Sequence, residues 1–320
     1  MSKYIRENSH LLNKIRDSIF KGLSFIEKSQ LPSGEFPTYV SANANMKSCH
    51  YIKTIAMTVL VADCLKHVRD YSQAKQMIEK SIQFLLNQKE NEMVWRFFGK
   101  NSNIIPDLDD ICYTLAFLKE NKVDLDYGKF GNELLRYRNA EGLFYTWFPK
   151  KGKNNNVDWV TNTNILYFFY CIDKRITEVE NYLKQIITEG KFAKGSLYYH
   201  SPYSFIYFFT RLYSDKNAET FSSVIPVLID FLLMNERENI VKNEIEDILA
   251  EIGLINSGFE GLLLDKAIEK ILDFQNKDGG WAMGSIFRHR TVNRYYGSRE
   301  LSTAFAIKCL AKYQRRYSSV

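Results

Sequence analysis

The segment KILDFQNKDGGW (Lys270–Trp281) joins an amphipathic run to a glutamine, a glycine pair and a tryptophan. The same order of features recurs in LSFIEKSQLPSGEF (Leu23–Phe36), IQFLLNQKENEMVW (Ile82–Trp95) and LLRYRNAEGLFYTW (Leu134–Trp147). Two weaker copies, YLKQIITEGKF and IDFLLMNEREN, lie between the third and the last of these. The chain is therefore an array of six similar units.

The spacing of these units indicates what each one is. The residues that mark the end of the six amphipathic runs stand 58, 51, 50, 46 and 40 positions apart: Gln30, Gln88, Asn139, Glu189, Asn235 and Gln275. A single helix is too short for such a step, whereas a helical hairpin fits it. Six hairpins account for the length of 320 residues.

A second, more apolar helical run lies between successive markers, for example DDICYTLAFLK and DWVTNTNILYFFYCI. Amphipathic helices that alternate with uniformly apolar ones indicate an outer ring around a covered inner ring. We therefore predict an all-α fold, an (α/α)₆ barrel formed as a single domain by residues 1–320. An open solenoid of hairpins is the alternative architecture.

Composition narrows the class of protein. Phe, Tyr and Trp make up 14% of the residues, so many rings are available for a core or a cavity wall. The five cysteines are scattered and form no C-x-x-C pair, which is typical of a reducing compartment. The start of the chain is polar and no apolar run could span a bilayer. These features predict a cytoplasmic protein that does not bind nucleic acid; peripheral membrane contact and the oligomeric state are left open.

Polar residues mark the starts of the predicted inner helices, which meet at one rim of a barrel. These residues are His50, Asp107 to Asp110, Asp158 with Trp159, His200, and Ser298 to Glu300. Ionisable groups that converge at the mouth of a ring-lined hole predict a ligand site there.

Three acids stand in four positions where IIPDLDDICYTLAFL begins an inner helix: Asp107, Asp109 and Asp110. Carboxylates at a helix start accept hydrogen bonds from free N–H groups and face the positive end of the dipole, so one or two of them cap the helix. Three acids at one turn repel each other, and that repulsion favours a proton on one of them. The two effects oppose each other, and the sequence does not give the direction of the net pKa shift.

Asp107-Leu108-Asp109-Asp110 resembles the D-x-D-D motif of class II terpene cyclases, the squalene–hopene cyclase and copalyl diphosphate synthase type, and the repeated turns resemble that family's QW repeats. The resemblance implies a protonation-initiated cyclase of a linear isoprenoid or prenyl diphosphate, with Asp109 as the general acid and Asp107 and Asp110 as its neighbours. It also implies that aromatic rings stabilise carbocations and that no cofactor is required. The chain has Ile111-Cys112 where the family usually continues with Thr-Ala.

A second resemblance uses overlapping residues. Asp110-Ile111-Cys112-Tyr113 is similar to the D-x-C-Y of protein prenyltransferase β subunits, and Tyr199-His200-Ser201 is similar to their Y-H-T. This alternative implies a zinc ion held by Asp110, Cys112 and His200. In a cyclase, His200 could instead hydrogen-bond the catalytic acid.

The segment SIFRHRTVNRYYGSREL carries several cations after the last repeated turn, and guanidinium groups suit phosphate oxygens. The predicted clamp for an anionic head group consists of Arg288, Arg290, Arg294 and Arg299. Mg²⁺ would accompany a diphosphate substrate.

Further residues of the inner helices and turns are predicted to contact the substrate. They are His200, Trp95, Trp159, Asn162, Tyr113 and Tyr203. Two other functions remain open for the same fold: a carbohydrate-active enzyme in which Asp109 pairs with Asp158, and a non-catalytic isoprenoid-binding barrel.

Overall fold

A computed structural model describes residues 2–91, 94–149, 155–238, 240 and 242–318. Twelve α-helices alternate between an outer and an inner ring in this part of the chain. The outer helices are α1 (Ser2–Ser29), α3 (Ser72–Gln88), α5 (Tyr127–Leu134), α7 (Thr177–Thr188), α9 (Ile225–Arg237) and α11 (Leu262–Asp273). Each ends within a few residues of its predicted marker, which confirms the repeat.

The inner helices are buried on nearly every side, as their uniformly apolar sequences predict. They are α2 (Ala56–Leu65), α4 (Leu108–Glu120), α6 (Trp159–Cys171), α8 (Pro202–Asp215), α10 (Glu244–Asn256) and α12 (Arg299–Ser318). Each packs against the next, and α12 packs against α2. The ring therefore closes, and the open solenoid is excluded.

The repeated turns hold each outer helix to the loop that follows it. The indole nitrogen of Trp281 donates to the carbonyl of Ile271 at 2.8 Å, and Trp95 donates to Leu85 at the same distance. The amide of Gln275 donates to the carbonyls of Gly279 and Ser18. The glutamine and the tryptophan thus satisfy carbonyl groups left free at helix ends and in the turns.

A second set of hydrogen bonds ties the same turns to the inner helices. The backbone N–H of Phe36 donates to Thr58 Oγ1, and that of Trp281 donates to Thr303 Oγ1. In the third unit Asn162 takes this place: its side chain accepts from the N–H of Phe144 and donates to the carbonyl of the same residue. The prediction that Asn162 contacts the substrate is therefore wrong; its amide is fully used within the fold.

A small antiparallel sheet lies where the first and last hairpins of the ring meet. The sequence did not predict this sheet. The strands are β1 (Thr38–Ser41), β2 (His50–Ile52), β3 (Gly284–Arg288) and β4 (Tyr295–Ser298), in the order β2-β1-β4-β3. Pairing of β1 with β4 joins the connection before α2 to the connection before α12. His50 lies in β2, exposed, and not at the start of α2 as predicted.

Buried charges fill the bore at the carboxyl ends of the inner helices. Arg211 lies 3.2 Å from Asp63, and its guanidinium carbon is 3.6 Å from the centroid of the Tyr167 ring. Tyr113 donates its hydroxyl hydrogen to Asp63 at 2.9 Å. Tyr113 therefore belongs to this network and not to a substrate cavity, contrary to the prediction.

No helix in the described ranges is long and apolar enough to cross a bilayer.

Replacement of Asn162 by leucine is expected to lower the free energy of unfolding by about 3 kcal/mol, because it leaves the buried N–H and C=O of Phe144 without partners while nearly preserving volume. The measurement is urea denaturation followed by circular dichroism. Asn132→Leu, at an exposed position of α5, is the control and should change the stability by less than about 0.5 kcal/mol. Equal losses in the two variants would contradict the role given to Asn162.

Candidate active site

A cavity of about 500 Å³ opens at the rim where the inner helices begin. Its walls come from the loops that lead into α4, α6 and α8 and from the β3–β4 hairpin. The lining residues are Phe97, Phe98, Ile104, Ile105, Asp107, Asp109, Asp110, Thr146, Trp147, Asn156, Thr161, Tyr198, Phe287, Arg288, His289, Arg290, Thr291, Arg294 and Tyr296. Six aromatic side chains, three carboxyl groups and three arginines therefore line one cavity.

The aromatic wall contains two groups of rings in contact. Phe97 packs edge-on against Phe98 at 4.9 Å between centroids and against Tyr296 at 5.3 Å, and Trp147 packs edge-on against Tyr198 at 5.8 Å. The two tryptophans predicted for this wall are elsewhere. Trp95 is fully buried in its turn, and Trp159 packs against the core outside the cavity lining. The prediction for Trp95 is wrong because its indole fastens the turn through the carbonyl of Leu85. Contact of Trp159 with a substrate stays a prediction.

Of the three acids, Asp107 is the N-cap of α4. Its carboxylate accepts from the backbone N–H of Asp110 at 2.8 Å, as capping requires. Burial raises the pKa of Asp107 to about 6 in spite of this hydrogen bond. Burial also raises the pKa of Asp110 well above its ordinary value, and the charges of Asp107 and Asp109 add to this effect.

Asp109 is the acid whose carboxyl is held by side chains from other inner helices. Asn164, on α6, donates its amide hydrogen to Oδ1 at 2.8 Å. Tyr199, just before α8, donates its hydroxyl hydrogen to Oδ2 at 2.5 Å. A carboxyl group has about four lone-pair positions, so two remain open for a proton. The helices α4 and α6 and the loop before α8 thus fix the orientation of one carboxyl in the wall of the cavity.

The pKa of Asp109 is raised to about 7. Burial is the largest cause, and the negative charge of Asp107 acts in the same direction. The hydrogen bonds from Tyr199 and Asn164 favour the carboxylate and oppose the shift. Because burial prevails, a substantial fraction of Asp109 keeps its proton near neutral pH, as a general acid requires.

Asp158, like Asp109, stands at the start of an inner helix, but both its carboxylate oxygens are occupied by hydrogen bonds within the protein. It is the N-cap of α6: its Oδ1 accepts from the N–H groups of Val160 and Thr161, and its Oδ2 accepts from that of Leu197. Asp158 is fully buried and does not line the cavity. The predicted pair of Asp109 with Asp158, on which the carbohydrate-active alternative depended, is therefore not formed.

Three of the four predicted arginines lie at the cavity. Arg288 donates to the carbonyls of Ser196 and Leu197, and Arg290 donates to Asn156 Oδ1 at 2.7 Å. Arg294 is exposed at the mouth, beside Tyr296. Arg299 is the exception.

Arg299 forms a two-point ion pair with Asp278 and lies over the ring of Phe25. It does not line the cavity, and its guanidinium is paired with Asp278, so its prediction as a head-group ligand is wrong.

His200 does not reach the acid. Its Nε2 lies 3.3 Å from Ser285 Oγ, its ring packs edge-on against Tyr295, and burial lowers its pKa to about 4. The hydrogen bond proposed for His200 is instead made by the preceding residue, Tyr199. Tyr203 bonds to Asn235 and also lies outside the cavity lining, contrary to its prediction.

The zinc alternative required Asp110, Cys112 and His200 to converge. Cys112 is fully buried in α4, two positions after Asp110, so the two side chains leave the helix on different faces. In the part of the chain that the structure describes, no three His, Cys, Asp or Glu side chains are grouped to hold a metal ion. The structure therefore does not bring this ligand set together.

Comparison with known proteins agrees with this arrangement. No family model matches the chain. Over 235 residues the chain is 23% identical to a drimenol cyclase from Aspergillus calidoustus, a match that covers 71% of this chain and 43% of that protein. The chain thus spans less than half the length of this curated relative.

Solved structures give the fold. A variant of the type II terpene cyclase MstE from Scytonema, in complex with its substrate geranylgeranyl dihydroxybenzoate, superposes with a TM-score of 0.75 at 10% identity, over 96% of this chain and 99% of that one. The chain has the fold of the type II terpene cyclases. An alpha-amylase from Clostridium perfringens superposes less well, with a TM-score of 0.60 at 14% identity over 92% and 98% of the two chains.

Asp109→Asn is expected to raise the melting temperature at pH 8. The folded-state pKa of Asp109 lies above the ordinary value of 3.8, so its ionisation opposes folding, and the stability that protonation provides is lost as pH rises toward about 7. The gain in the variant should therefore be largest above pH 7 and shrink toward pH 4. Melting curves measured by scanning calorimetry test this, with Asp17→Asn, at an exposed position of α1, as the control. A gain that is independent of pH would contradict the assignment.

Proposed function

We propose that the protein is a class II terpene cyclase in which Asp109 protonates a linear isoprenoid. The observation that carries this proposal is one carboxyl group, oriented by hydrogen bonds from Tyr199 and Asn164, that lines a cavity walled by aromatic rings. The similarity to a drimenol cyclase and the fold shared with a cyclase of a geranylgeranyl substrate support it.

The reaction begins when the O–H of Asp109 transfers its proton to the CH carbon of the terminal double bond, which leaves the Asp109 carboxylate and a tertiary carbocation on the carbon that bears the two methyl groups. Neighbouring double bonds attack the cation in turn, each forming one carbon–carbon bond and moving the charge along the chain. Loss of a proton or addition of water ends the sequence. Aromatic faces attract cations, so Phe97, Phe98 and Tyr296 are placed to stabilise these intermediates.

The cavity mouth favours a substrate with an anionic head group. Arg288, Arg290 and Arg294 line it, and each guanidinium has five N–H donors, more than its contacts within the protein use. A diphosphate or a carboxylate would satisfy this charge. Protonation itself requires no metal; Mg²⁺ would accompany only a diphosphate. The proposed unit is a single barrel, residues 1–320, acting in the cytoplasm on a small isoprenoid.

Asp109→Asn is expected to reduce cyclisation at least about 1,000-fold, because the amide cannot supply the proton that starts the reaction. The assay incubates purified protein with farnesyl diphosphate, geranylgeranyl diphosphate, geranylgeranyl dihydroxybenzoate and squalene and identifies products by mass spectrometry. Cyclised product formed by Asp109→Asn at the wild-type rate would remove Asp109 from the mechanism. If the wild type cyclises none of these polyenes, the proposed function is wrong for this range of substrates.

The pH dependence should show the same acid. Because only protonated Asp109 is active, kcat/KM is expected to fall about tenfold per pH unit above about 7. Tyr199→Phe removes a donor that stabilises the carboxylate, so the falling limb should move to higher pH. Tyr203→Phe, which removes a hydroxyl outside the cavity lining, is the control and should keep the wild-type limb. A limb that stays in place in Tyr199→Phe would contradict the role of this hydrogen bond.

Arg294→Gln is expected to raise KM for an anionic substrate about tenfold, as loss of one charge-assisted contact implies, with kcat within about twofold. KM for neutral squalene should not change. Arg299→Gln is the matched control, since Arg299 pairs with Asp278 outside the cavity. An equal rise of KM for charged and neutral polyenes would show that Arg294 shapes the mouth instead of binding the head group.

A further inference from the structure

Phe287 is the cavity-lining ring that stands next to the side chain bonded to the acid. Its ring centroid lies 5.2 Å from that of Tyr199, whose hydroxyl donates to Asp109 Oδ2 at 2.5 Å. Among the described residues that line the cavity, Phe287 is the one whose ring contacts Tyr199. Phe97 follows at 5.9 Å from Phe287, and Tyr296 lies 5.3 Å from Phe97. The lining rings therefore form a series that begins beside Asp109.

An irregularity of strand β3 turns Phe287 towards the cavity. Side chains two positions apart share a face in a regular strand, yet Phe287 lines the cavity and Ser285 does not. Ser285 pairs with Gly297 of β4, and Phe287 pairs with the neighbouring residue, Tyr296. Ile286 is therefore an extra residue on β3. A β-bulge of this kind redirects side chains beside active sites.

The backbone around the bulge is tightly packed. A Cβ on Gly297 would lie 1.9 Å from the carbonyl oxygen of Gly284, so glycine is required where the two strands approach. A Cβ on Gly284 would lie 2.4 Å from Ile245 Cγ2 on α10. Ile286 is fully buried in the core. The bulge is thus held between β4 and an inner helix, and the position of Phe287 is fixed with it.

The proposed reaction produces its first positive charge at this end of the series. Asp109 gives its proton to the CH carbon of the terminal double bond, and the charge appears on the adjacent carbon, one bond away. The first cation therefore forms close to the acid, before any ring has closed. An aromatic face within about 6 Å attracts a cation, most strongly where water is excluded.

We infer, on the basis of the proposed function, that the face of the Phe287 ring stabilises this first carbocation and so sets the rate of protonation. The rings further along the series, Phe97 and Tyr296, then serve the cations that form after it. Phe287 is a catalytic residue in this scheme, and its electrons, not only its bulk, are required.

The test weakens the aromatic face of Phe287 and keeps the ring. Mono-, di- and trifluorinated phenylalanine replace Phe287 in turn, because fluorine withdraws electrons from the face and changes the shape little. The enzyme is mixed in excess with farnesyl diphosphate, or with whichever polyene the wild type cyclises. The rate of this single turnover should fall with each fluorine, about tenfold in all.

Phe287→Leu removes the aromatic face altogether. Its single-turnover rate should fall about 30-fold, which corresponds to about 2 kcal/mol of transition-state stabilisation. KM and the pH at which kcat/KM falls should stay as in the wild type, because neither the head-group site nor the acid is changed.

Phe208 is the matched control for the fluorinated series. Its ring packs edge-on against Tyr199 at 5.2 Å, the same distance as Phe287, but Phe208 is buried outside the cavity lining. The same fluorinated residues at position 208 should leave the single-turnover rate within about twofold. A ring that acted only by supporting Tyr199 would respond alike at both positions. Melting curves check that each variant is folded.

A single-turnover rate that does not depend on fluorination of Phe287, or that falls equally for Phe287 and Phe208, would overturn the role of Phe287. A rise of KM with an unchanged single-turnover rate would overturn it too, since the ring would then only bind the chain. In these cases cyclisation by the wild type leaves the proposed function intact. Absence of cyclised product in the wild type would instead refute that function, and the role of Phe287 with it.

Discussion

The partial shielding of the Asp109 carboxyl from water at the cavity wall is the constraint on which the site depends. The start of α4 offers a positive dipole end, and Tyr199 and Asn164 offer two hydrogen bonds, all of which favour the carboxylate. A solvated acid in this setting would ionise well below neutral pH. Burial behind the aromatic wall reverses the outcome and holds the pKa near 7. The pKa of Asp109 therefore depends on the loops that form the cavity walls as well as on the residues that contact the acid.

The two ends of the barrel carry different groups. All inner helices run in the same direction, so their amino ends meet at one rim and their carboxyl ends at the other. At the first rim Asp107 and Asp158 cap helices, a position that the helix dipole favours for an acid. Towards the second end the buried cations Arg211 and Lys308 accompany the buried acid Asp63. The charged network fills the bore at one end, and the cavity occupies the other.

The fold followed from the sequence because its repeat is local. Turns of the repeat are held by hydrogen bonds between residues a few positions apart, such as Gln275 to Gly279 and Trp281 to Ile271, and the apolar runs show which helices are covered. The contacts that define the site are not local. Tyr199 meets Asp109 across 90 residues and Asn164 meets it across 55. Asn164 had a sequence signal, since an amide in an apolar helix needs a partner, but nothing in the sequence chose it over Asn162. The sheet escaped prediction because its strands are three to five residues long.

The hydrogen bonds of the neighbouring acids explain why the proposed reaction uses one carboxyl group and not a pair. Hydrolysis of a glycosidic bond requires two available carboxyl groups on either side of the bond. Here Asp158 gives both its oxygens to backbone N–H groups, and Asp107 gives one to the cap of α4. Asp107 and Asp158 cap helices and add negative charge. Of these three acids, Asp109 is the one that lines the cavity and is oriented by hydrogen bonds from the side chains of other elements. A site with one oriented acid and a wall of aromatic rings suits proton transfer to an alkene. The acid remains a carboxylate during cyclisation, while the aromatic faces stabilise the positive charge on the substrate.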